Sequence, residues 1–352
     1  MISGEQNRSR FVRLKPGVVA LAVTCLLASV VLAVAIGAVS LPLRGIGLEL
    51  LDRLPLVHAT SGLSDRQVAI LWELRMPRVV LGGLVGASLA MSGAAYQAVF
   101  RNALADPYLL GAAAGAGLGA TLVFAYITGS ASWPIDPLPL AAFAGALGSV
   151  LLTYILGRSG GRERSATTLI LAGVAMASFL TAVQTYFQQR ESDTLQQVYS
   201  WILGRLSTAG WREVGLILPY LLVSGTVILL HRRLLDVLSV GDEEADSLGI
   251  KASRVRLIVV VAATLATAAA VAVSGLIGFV GIIVPHTIRL VFGSSYRLVV
   301  PLTILFGASF LIMADLFART VSSPAELPIG VITAFFGAPF FIVILRSSRK
   351  MS

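Results

Sequence analysis

The sequence predicts an all-α polytopic membrane protein with about ten transmembrane helices. Of its 352 residues, 56% are hydrophobic and 13% are charged, whereas an ordinary soluble domain carries about 25% charged residues. The mean hydropathy is +0.86. Apolar segments rich in Gly and Ala are separated by short polar connections. Since no connection is long enough for a separate soluble domain, we expect a single transmembrane domain over residues 1–352.

The apolar segments have the lengths expected of spanning helices. Such a helix needs roughly 20 apolar residues, with about 17 to 25 tolerated. The first segment follows several basic residues, as in a signal peptide, but its apolar core exceeds the usual length of about 7 to 15 residues. We therefore interpret it as a retained helix. The segments are residues 17–39, 79–99, 108–127, 140–157, 166–187, 214–230, 257–273, 276–288, 298–317 and 329–345.

The eighth segment is shorter than the others. It lies between Ser274-Gly275 and Pro285-His286, and both pairs are unfavourable inside a helix. Non-helical backbone at membrane depth is tolerated where protein surrounds it. We therefore expect a broken or re-entrant helix here, and a count of nine spanning helices is the alternative.

The distribution of basic residues predicts the orientation. If the N-terminus is cytoplasmic, that side carries 18 of the 27 Lys and Arg residues and the other side carries 9. Cytoplasmic loops hold an excess of Lys and Arg, so both termini should be cytoplasmic, with tails at 1–16 and 346–352 and a loop at 231–256. The same asymmetry explains the net charge of +9 through topology and contact with anionic membrane lipid, without a nucleic-acid partner.

The sequence contains no convincing catalytic motif. His58, His231 and His286 are far apart, and there is no HExxH, CxxC or GxxxxGK[ST] pattern. The chain therefore carries no such ATPase site, and if ATP drives it, another subunit supplies that site. Ser274 and His286 are conceivable as the nucleophile and base of an intramembrane hydrolase, but a helix-break serine and a loop histidine are the favoured interpretation. Cys25 is the single cysteine, which excludes an intramolecular disulfide.

Small residues are concentrated in the second segment. They permit close approach of helix backbones, and alone they indicate packing without indicating transport. The set comprises Gly82, Gly83, Gly86, Ala87, Ser88, Ala90, Ser92 and Gly93.

Four polar side chains share one face of the fifth segment. Ser178, Thr181, Thr185 and Gln188 are spaced by 3, 4 and 3 residues, which places them on one side of a helix. Such a stripe either bonds to neighbouring helices or lines a wet path, and the spacing leaves both interpretations open. Because the stripe carries no charge, we do not expect an inorganic ion coordinated by carboxylates as cargo.

Arginines flank the membrane segments on the predicted outer side. Arg75 and Arg78 precede the second segment, and Arg319 ends the ninth. Asp315 lies four residues before Arg319, a spacing that permits an ion pair on one helix face. The arginines are interpreted either as snorkelling interfacial residues or as a docking surface for an acidic partner, using charge-assisted hydrogen bonds.

The predicted loop 231–256 contains a short acidic stretch. Acids in its first turn and a glycine after its end predict a short helix, which either docks on a soluble subunit or is a solvated connector. The stretch comprises Gly241, Asp242, Glu243, Glu244, Ala245, Leu248 and Gly249.

Six ordered motifs give the chain a specific resemblance. The sequence resembles the permease subunits of bacterial ABC importers for iron chelates, haem and cobalamin, and the match extends roughly over residues 66–346. The motifs are GASLAMSGAAYQAVFRNALADPYLLG (86–111), LILAGVA (169–175), GDEEADSLGI (241–250), SGLIGFVGIIVPHTIRL (274–290), AD...AR (314–319) and ELPIGVITAFFGAPFF (326–341).

The resemblance implies a fold and a set of partners. It implies a type II ABC importer permease, that is, a homodimer of ten-helix subunits in the cell (inner) membrane. Two cytoplasmic ATP-binding subunits would hold ATP and Mg, and an extracytoplasmic substrate-binding protein would deliver the cargo. Iron would be cargo within a ligand, so no cofactor or metal site is expected in this chain.

The resemblance also implies roles for particular residues. Arg75, Arg78 and Arg319 match arginines that receive acidic residues of the binding protein, and the segment 241–249 matches the coupling helices on the ATPase. The polar stripe lies on the helix that matches the lining of the translocation path. The constriction at the cytoplasmic end of that helix is matched by Ser165, Ala166, Thr167 and Thr168.

The expected mechanism is alternating access. ATP would close the two ATPases, and the coupling helices would transmit that motion to the fifth and tenth helices. The alternative is a secondary transporter of an organic solute, which needs an intramembrane proton or sodium site. Asp315 is the one acid well inside a predicted span, and its expected pairing with Arg319 argues against a carrier role. The sequence leaves the choice among siderophore, haem and cobalamin open.

Overall fold

The computed structural model describes residues 14–37, 39–53, 60–127, 136–158 and 166–348. Every regular element in these ranges is a helix, and a π-helical turn (Ile70–Arg75) joins the third helix to the fourth. In chain order the helices are α1 (Pro16–Ala35), α2 (Leu43–Asp52), α3 (Asp65–Ala69), α4 (Met76–Phe100), α5 (Ala112–Tyr126), α6 (Pro137–Arg158), α7 (Ala166–Arg190), α8 (Leu195–Ile202), α9 (Trp211–Val240), α10 (Asp242–Ser247), α11 (Ala252–Ser274), α12 (Val280–Phe292), α13 (Tyr296–Thr320) and α14 (Ile329–Ser348).

The ten predicted apolar segments all contain helices. Within the described ranges, seven helices are long and apolar enough to cross a membrane, and α5, α12 and the part Ile329–Val343 of α14 are shorter apolar helices. Some helices extend well past the predicted limits. The 30 residues of α9 span about 45 Å, compared with about 30 Å for the hydrocarbon core. Because α9 and α11 occupy both ends of the predicted loop 231–256, the segment between them is reduced to residues 241–251.

The centre of the bundle is α4. The helical span Asp65–Phe100 includes α4, and 83% of its most apolar part is buried. Helix α4 packs against α9, α11, α12 and α13. Small residues make this packing possible. A Cβ added to Gly86 would lie 2.2 Å from the carbonyl oxygen of Gly307, and one added to Gly93 would lie 2.0 Å from that of Gly281. The predicted close approach of backbones is confirmed at these two glycines.

Buried polar side chains connect α4 to α11. The Ser92 hydroxyl donates to the carbonyl of Ala263 at 3.0 Å, and the hydroxyls of Tyr96 and Thr264 are 2.6 Å apart. Such bonds contribute to helix association in an apolar medium, where burial alone gives little driving force between helices.

The predicted break before the eighth segment is present. Residues 275–279 are not helical, and positive φ angles occur at Gly275 (71°) and Phe279 (68°). The Tyr108 hydroxyl accepts a hydrogen bond from the Ile277 amide at 3.2 Å and donates one to the Ile277 carbonyl at 3.1 Å. Protein groups therefore replace water around this irregular backbone, as membrane burial requires.

The predicted end of the eighth segment was wrong. Helix α12 starts at Val280 and continues through Pro285 to Phe292. A proline inside a helix leaves the carbonyl four residues earlier without its usual donor, and that carbonyl belongs to Gly281. The side-chain amide of Gln97 donates to it at 2.9 Å. We infer that this bond allows the helix to pass through the proline.

The charged residues gather at two ends of the bundle. Arg75, Arg78 and Arg319 meet at one end, which we call the arginine end. Arg101 and Arg256 meet α10 at the other, which we call the α10 end. This separation agrees with the predicted alternation of sides, while the orientation of the two ends in the cell stays a prediction.

Candidate functional site

A charged cluster at the arginine end is centred on Asp315. This side chain is 4% exposed. Arg78 Nη2 lies 2.8 Å from its Oδ1, Arg78 Nε donates to both carboxylate oxygens at 3.0 Å, and Arg319 Nε lies 3.7 Å from Oδ2. The predicted pairing of Asp315 with Arg319 is confirmed. The stronger bidentate partner, Arg78, is 237 residues away in the chain and was not predicted.

Glu326 binds the remaining side of Arg78. Arg78 Nη1 donates to the two Glu326 oxygens at 2.9 and 3.0 Å. The Glu326 side chain is 42% exposed, compared with 14% for Arg78. One arginine on α4 thus connects α13 to the segment that leads into α14. Sequence reasoning missed Glu326, although it begins the last of the six family motifs.

Arg75 and Arg319 bind the end of α1. Arg75 Nη1 donates to the carbonyls of Val34 at 2.6 Å and Ala35 at 3.0 Å, and Arg319 Nη2 donates to the carbonyl of Ala33. Cations at a helix C-terminus stabilise its unpaired carbonyls and oppose the negative end of its dipole. Arg75 is only 6% exposed. In this single chain the donors of Arg75 are therefore directed inward, towards the carbonyls of α1.

Arg75 and Arg319 hold the end of α1, whether or not they also bind a partner. Reversing either charge would place a carboxylate against the carbonyl oxygens of α1, so the variant would lose helix contacts as well as any docking contact. Docking at the three arginines stays a prediction. Among them, Arg78 is the one whose partner, Glu326, is substantially exposed.

A small polar pocket adjoins the charged cluster. Its volume is about 140 Å³, and a second cation, Arg205, belongs to its wall. Arg205 follows α8 in the chain and donates its backbone amide to the Ser274 carbonyl at 2.9 Å. We call this the arginine-end pocket. Its polar lining comprises Arg78, Ser200, Arg205, Ser207, Asp315 and Glu326.

The predicted short helix at the opposite end is confirmed as α10. It starts after Gly241, carries three acids in its first turn and is followed by Gly249 with φ +71°. Ala245 is fully buried, whereas Leu248 is 65% exposed. Glu243 and Glu244, which belong to the same predicted acidic stretch, are exposed. The helix thus presents an acidic and apolar surface at the α10 end.

Asp242 holds α10 in place. Its carboxylate accepts hydrogen bonds from Arg256 Nη2 at 2.8 and 3.1 Å, and Arg101 Nη2 lies 3.8 Å from Oδ1. The short helix is thereby tied to the start of α11 and to the end of α4. From the sequence, both arginines were used only in the count of basic residues that predicts the membrane orientation. Their pairing with Asp242 was not predicted.

The segment 101–111 reaches from α10 towards α7. Arg101 begins it with φ +50°, and the Asn102 side chain accepts from the Leu104 amide at 2.9 Å. Further along, the Leu109 carbonyl packs against Gly173 on α7, where an added Cβ would be 2.1 Å from that oxygen. One short segment therefore contacts both the anchor of α10 and the helix with the polar stripe.

The four residues of the polar stripe on α7 differ in their exposure. Ser178, Thr181 and Thr185 are exposed, and the Thr185 hydroxyl donates to the Thr181 carbonyl of its own helix at 2.9 Å. Gln188 is 8% exposed, so it does not share their environment. Since α7 packs on α5 and α6, the three hydroxyl residues lie on the side of α7 away from the other described helices.

The predicted constriction lies largely outside the described side chains. Ser165 is not among the described residues, and Ala166 and Thr167 are described only as the first residues of α7. Thr168 is half-buried on the same helix. Its role at a constriction stays a prediction.

Ser274 and His286 do not form a catalytic pair. The Ser274 hydroxyl donates to the Ala270 carbonyl of its own helix at 2.8 Å, and the His286 ring packs edge-on against Phe340 with centroids 5.9 Å apart. The position of Ser274 at the end of α11 agrees with a helix-break serine, whereas the interpretation of His286 as a loop histidine was wrong, because α12 continues through it.

Comparison with known proteins identifies the family. The model of the FecCD transport family matches residues 25–347. The chain belongs to this family. FecCD proteins are membrane permeases of ABC transporters, so the fold class and the importer-permease class predicted from the six motifs are confirmed.

Several proteins are similar to this FecCD permease over most of its length. A cobalamin import permease, BtuC of Halobacterium salinarum, is 40% identical, with 81% of this chain and 75% of the relative covered. An Fe(3+)-citrate import permease, YfmE of Bacillus subtilis, is 35% identical, with 92% and 96% covered. A solved metal-chelate type ABC transporter in an inward-facing conformation has a TM-score of 0.81 at 26% identity, covering 95% of this chain and all of the solved chain.

Proposed function

We propose that this FecCD permease is the membrane-spanning subunit of an ATP-driven importer for a bulky chelate of the iron-siderophore, haem or cobalamin type. Two copies would form the path, two ATPase subunits would bind at the α10 end, and a substrate-binding protein would deliver cargo at the arginine end. The named relatives, which import cobalamin and Fe(3+)-citrate, support this cargo class. The α10 end is cytoplasmic in this proposal, as the distribution of basic residues predicts.

The free face of α7 is the observation that carries the proposal. Only 17% of its most apolar part is buried, compared with 83% for the central helix. Large apolar side chains, Phe179 at 63% and Tyr186 at 59% exposure, form a stripe beside the exposed hydroxyl residues. A second copy placed against this face would cover the apolar groups and leave the hydroxyls along a shared path. Small polar groups without charge suit a bulky chelate that must be released.

The link from ATP to the path follows from the contacts of α10. Its exposed acids and Leu248 offer a surface for an ATPase, and its half-buried Asp242, which Arg256 holds, also lies 3.8 Å from Arg101. From Arg101 the segment 101–111 runs to Gly173 on α7. A displacement of α10 by the closing ATPases would thus reach α7 through directly contacting residues.

Reconstitution tests the proposed function. The complex would be purified in mild detergent with its co-purifying subunits and placed in proteoliposomes with the candidate binding protein. We expect ATP hydrolysis and ATP-dependent uptake of one of three labelled cargoes: a ferric siderophore, haem or cobalamin. A chain that purifies without an ATPase and takes up solute under an ion gradient alone would overturn the proposal in favour of a secondary transporter.

The path between two copies gives a separate prediction. In a Cys25→Ser background, which has no other cysteine, Thr181→Cys is expected to give a cross-linked dimer with a bifunctional maleimide that spans the path, because a direct disulfide would need Cα atoms within about 7 Å. The matched control is Leu222→Cys on α9, where the side chain is 60% exposed but is expected to face lipid. Denaturing gels of native membranes would provide the measurement. Equal cross-linking at both positions, or none at Thr181→Cys and Ser178→Cys, would contradict the assigned dimer face.

A further inference from the structure

The two acids bound to Arg78 differ in accessibility. Asp315 is 4% exposed and lies between Arg78 and Arg319. Glu326 is 42% exposed and contacts Arg78 from the connection between α13 and α14. Exposed ion pairs contribute little to stability, whereas breaking a buried pair is costly. Separating Glu326 from Arg78 should therefore cost less than separating Asp315 from it.

The surroundings favour an incoming negative charge. Three arginines, Arg75, Arg78 and Arg319, lie near the two acids Asp315 and Glu326. Arg205 adds a further cation on the wall of the arginine-end pocket. If Glu326 moved away, Arg78 would keep one bidentate carboxylate and lose the acceptor for Nη1. A replacement carboxylate in the pocket would restore that bond, and Arg205 would be a second cation for it.

We propose that the arginine-end pocket is a carboxylate-exchange site, in which an acidic side chain of the docked binding protein displaces Glu326 from Arg78 and is also bound by Arg205. Glu326 then acts as an internal competitor that keeps Arg78 paired while no partner is bound. The inference rests on the proposed function, because it presumes a binding protein at this end. The volume of about 140 Å³ accommodates one side chain, which favours a protein carboxylate over a bulky chelate.

The exchange also affects the entry to α14. The residue after Glu326 donates its amide to the Ala318 carbonyl at 2.9 Å, and the Gly330 amide at the start of α14 donates to the Leu203 carbonyl at 3.0 Å. Glu326 thus attaches the short connection between α13 and α14 to Arg78 through its side chain. Its release on docking would loosen that segment while the backbone bonds on either side persist.

The test measures affinity for the binding protein that supports uptake in the reconstituted system. Wild type, Glu326→Gln and the control Glu73→Gln would be compared in proteoliposomes at low and high salt. Glu73 is an exposed acid near the same end, so the control makes the same substitution and charge change. Because removal of an internal competitor frees Arg78, Glu326→Gln is expected to bind about two- to fivefold more tightly at low salt, with the difference shrinking at high salt. Glu73→Gln should resemble wild type.

A second variant keeps the inference testable if Glu326→Gln folds poorly. Arg205→Gln is expected to weaken binding by about two- to fivefold, whereas the control Arg66→Gln, at an exposed position on α3, should not. Unchanged or weaker binding by a folded Glu326→Gln variant, or unchanged binding by Arg205→Gln, would overturn the exchange site while leaving the importer function intact. Absence of any binding and ATP-dependent uptake in wild type would instead remove the proposed function and this inference together.

Discussion

Replacing Asp315 by Asn is expected to destabilise the folded permease by about 3–5 kcal/mol, the usual cost of removing one partner from a buried charge pair. The carboxylate is the hydrogen-bonded partner of Arg78 and the ion-pair partner of Arg319, so its loss leaves two cations close together in a poorly solvated site. Arg319 also binds the end of α1, and we expect that contact to weaken as well. The measurement is the thermal midpoint and the folded yield of the variant in detergent.

Glu73→Gln is the control for this prediction, because it neutralises an exposed acid near the same end. It should leave the midpoint close to that of wild type. An Asp315→Asn variant as stable as wild type would show that the cluster is not structural. If that stable variant also lost transport while its ATPase coupling stayed intact, Asp315 would become a carrier residue and the secondary-transporter alternative would gain support.

Replacing Ala245 by Pro is expected to abolish coupled import. The Ala245 amide donates to the Gly241 carbonyl at 3.3 Å, and proline removes this bond and clashes with that carbonyl, at a cost of about 3 kcal/mol. A helix of six residues has no further turn to absorb the loss. Since 1.4 kcal/mol is a factor of ten, the ratio of formed to unformed helix should fall about a hundredfold. Uptake in proteoliposomes should fall accordingly, with the transmembrane bundle still folded.

Ala245→Gly is the matched control for the coupling helix. It keeps the amide and costs only about 1 kcal/mol, so a large part of the import should remain. The two variants should differ in the ratio of cargo transported to ATP hydrolysed, measured on the same preparations. Full coupling in the proline variant would show that α10 does not transmit the motion of the ATPases.

Local patterns determined the helices of this permease. Apolar length is a property of contiguous residues, and each of the ten predicted segments overlaps an observed apolar helix. The same holds for α10, because acids in a first turn and a terminal glycine act within a few residues. The Asp315–Arg319 pair, four residues apart, was likewise predictable from helical spacing.

Tertiary structure decided what these elements contact. The sequence places Pro285 as a helix end, yet α12 continues because Gln97, on another helix, donates to the carbonyl that the proline leaves free. The stripe on α7 divides because burial depends on which helices pack beside it, so Gln188 is buried while Thr185 is exposed. No local spacing carries information about either neighbour.

The charged residues show the same division most clearly. Basic composition and helix spacing alone indicated that Arg75, Arg78 and Arg319 lie at one end of the bundle. Only the folded chain brings Arg75 to the carbonyls of α1 and Arg78 to Asp315 and Glu326, partners 237 and 248 residues away. A guanidinium has five donors and takes whichever acceptors the packing brings near. Hydropathy and periodicity therefore determined the helices, whereas packing decided which arginines are paired inside the protein and which one also binds a partly exposed acid.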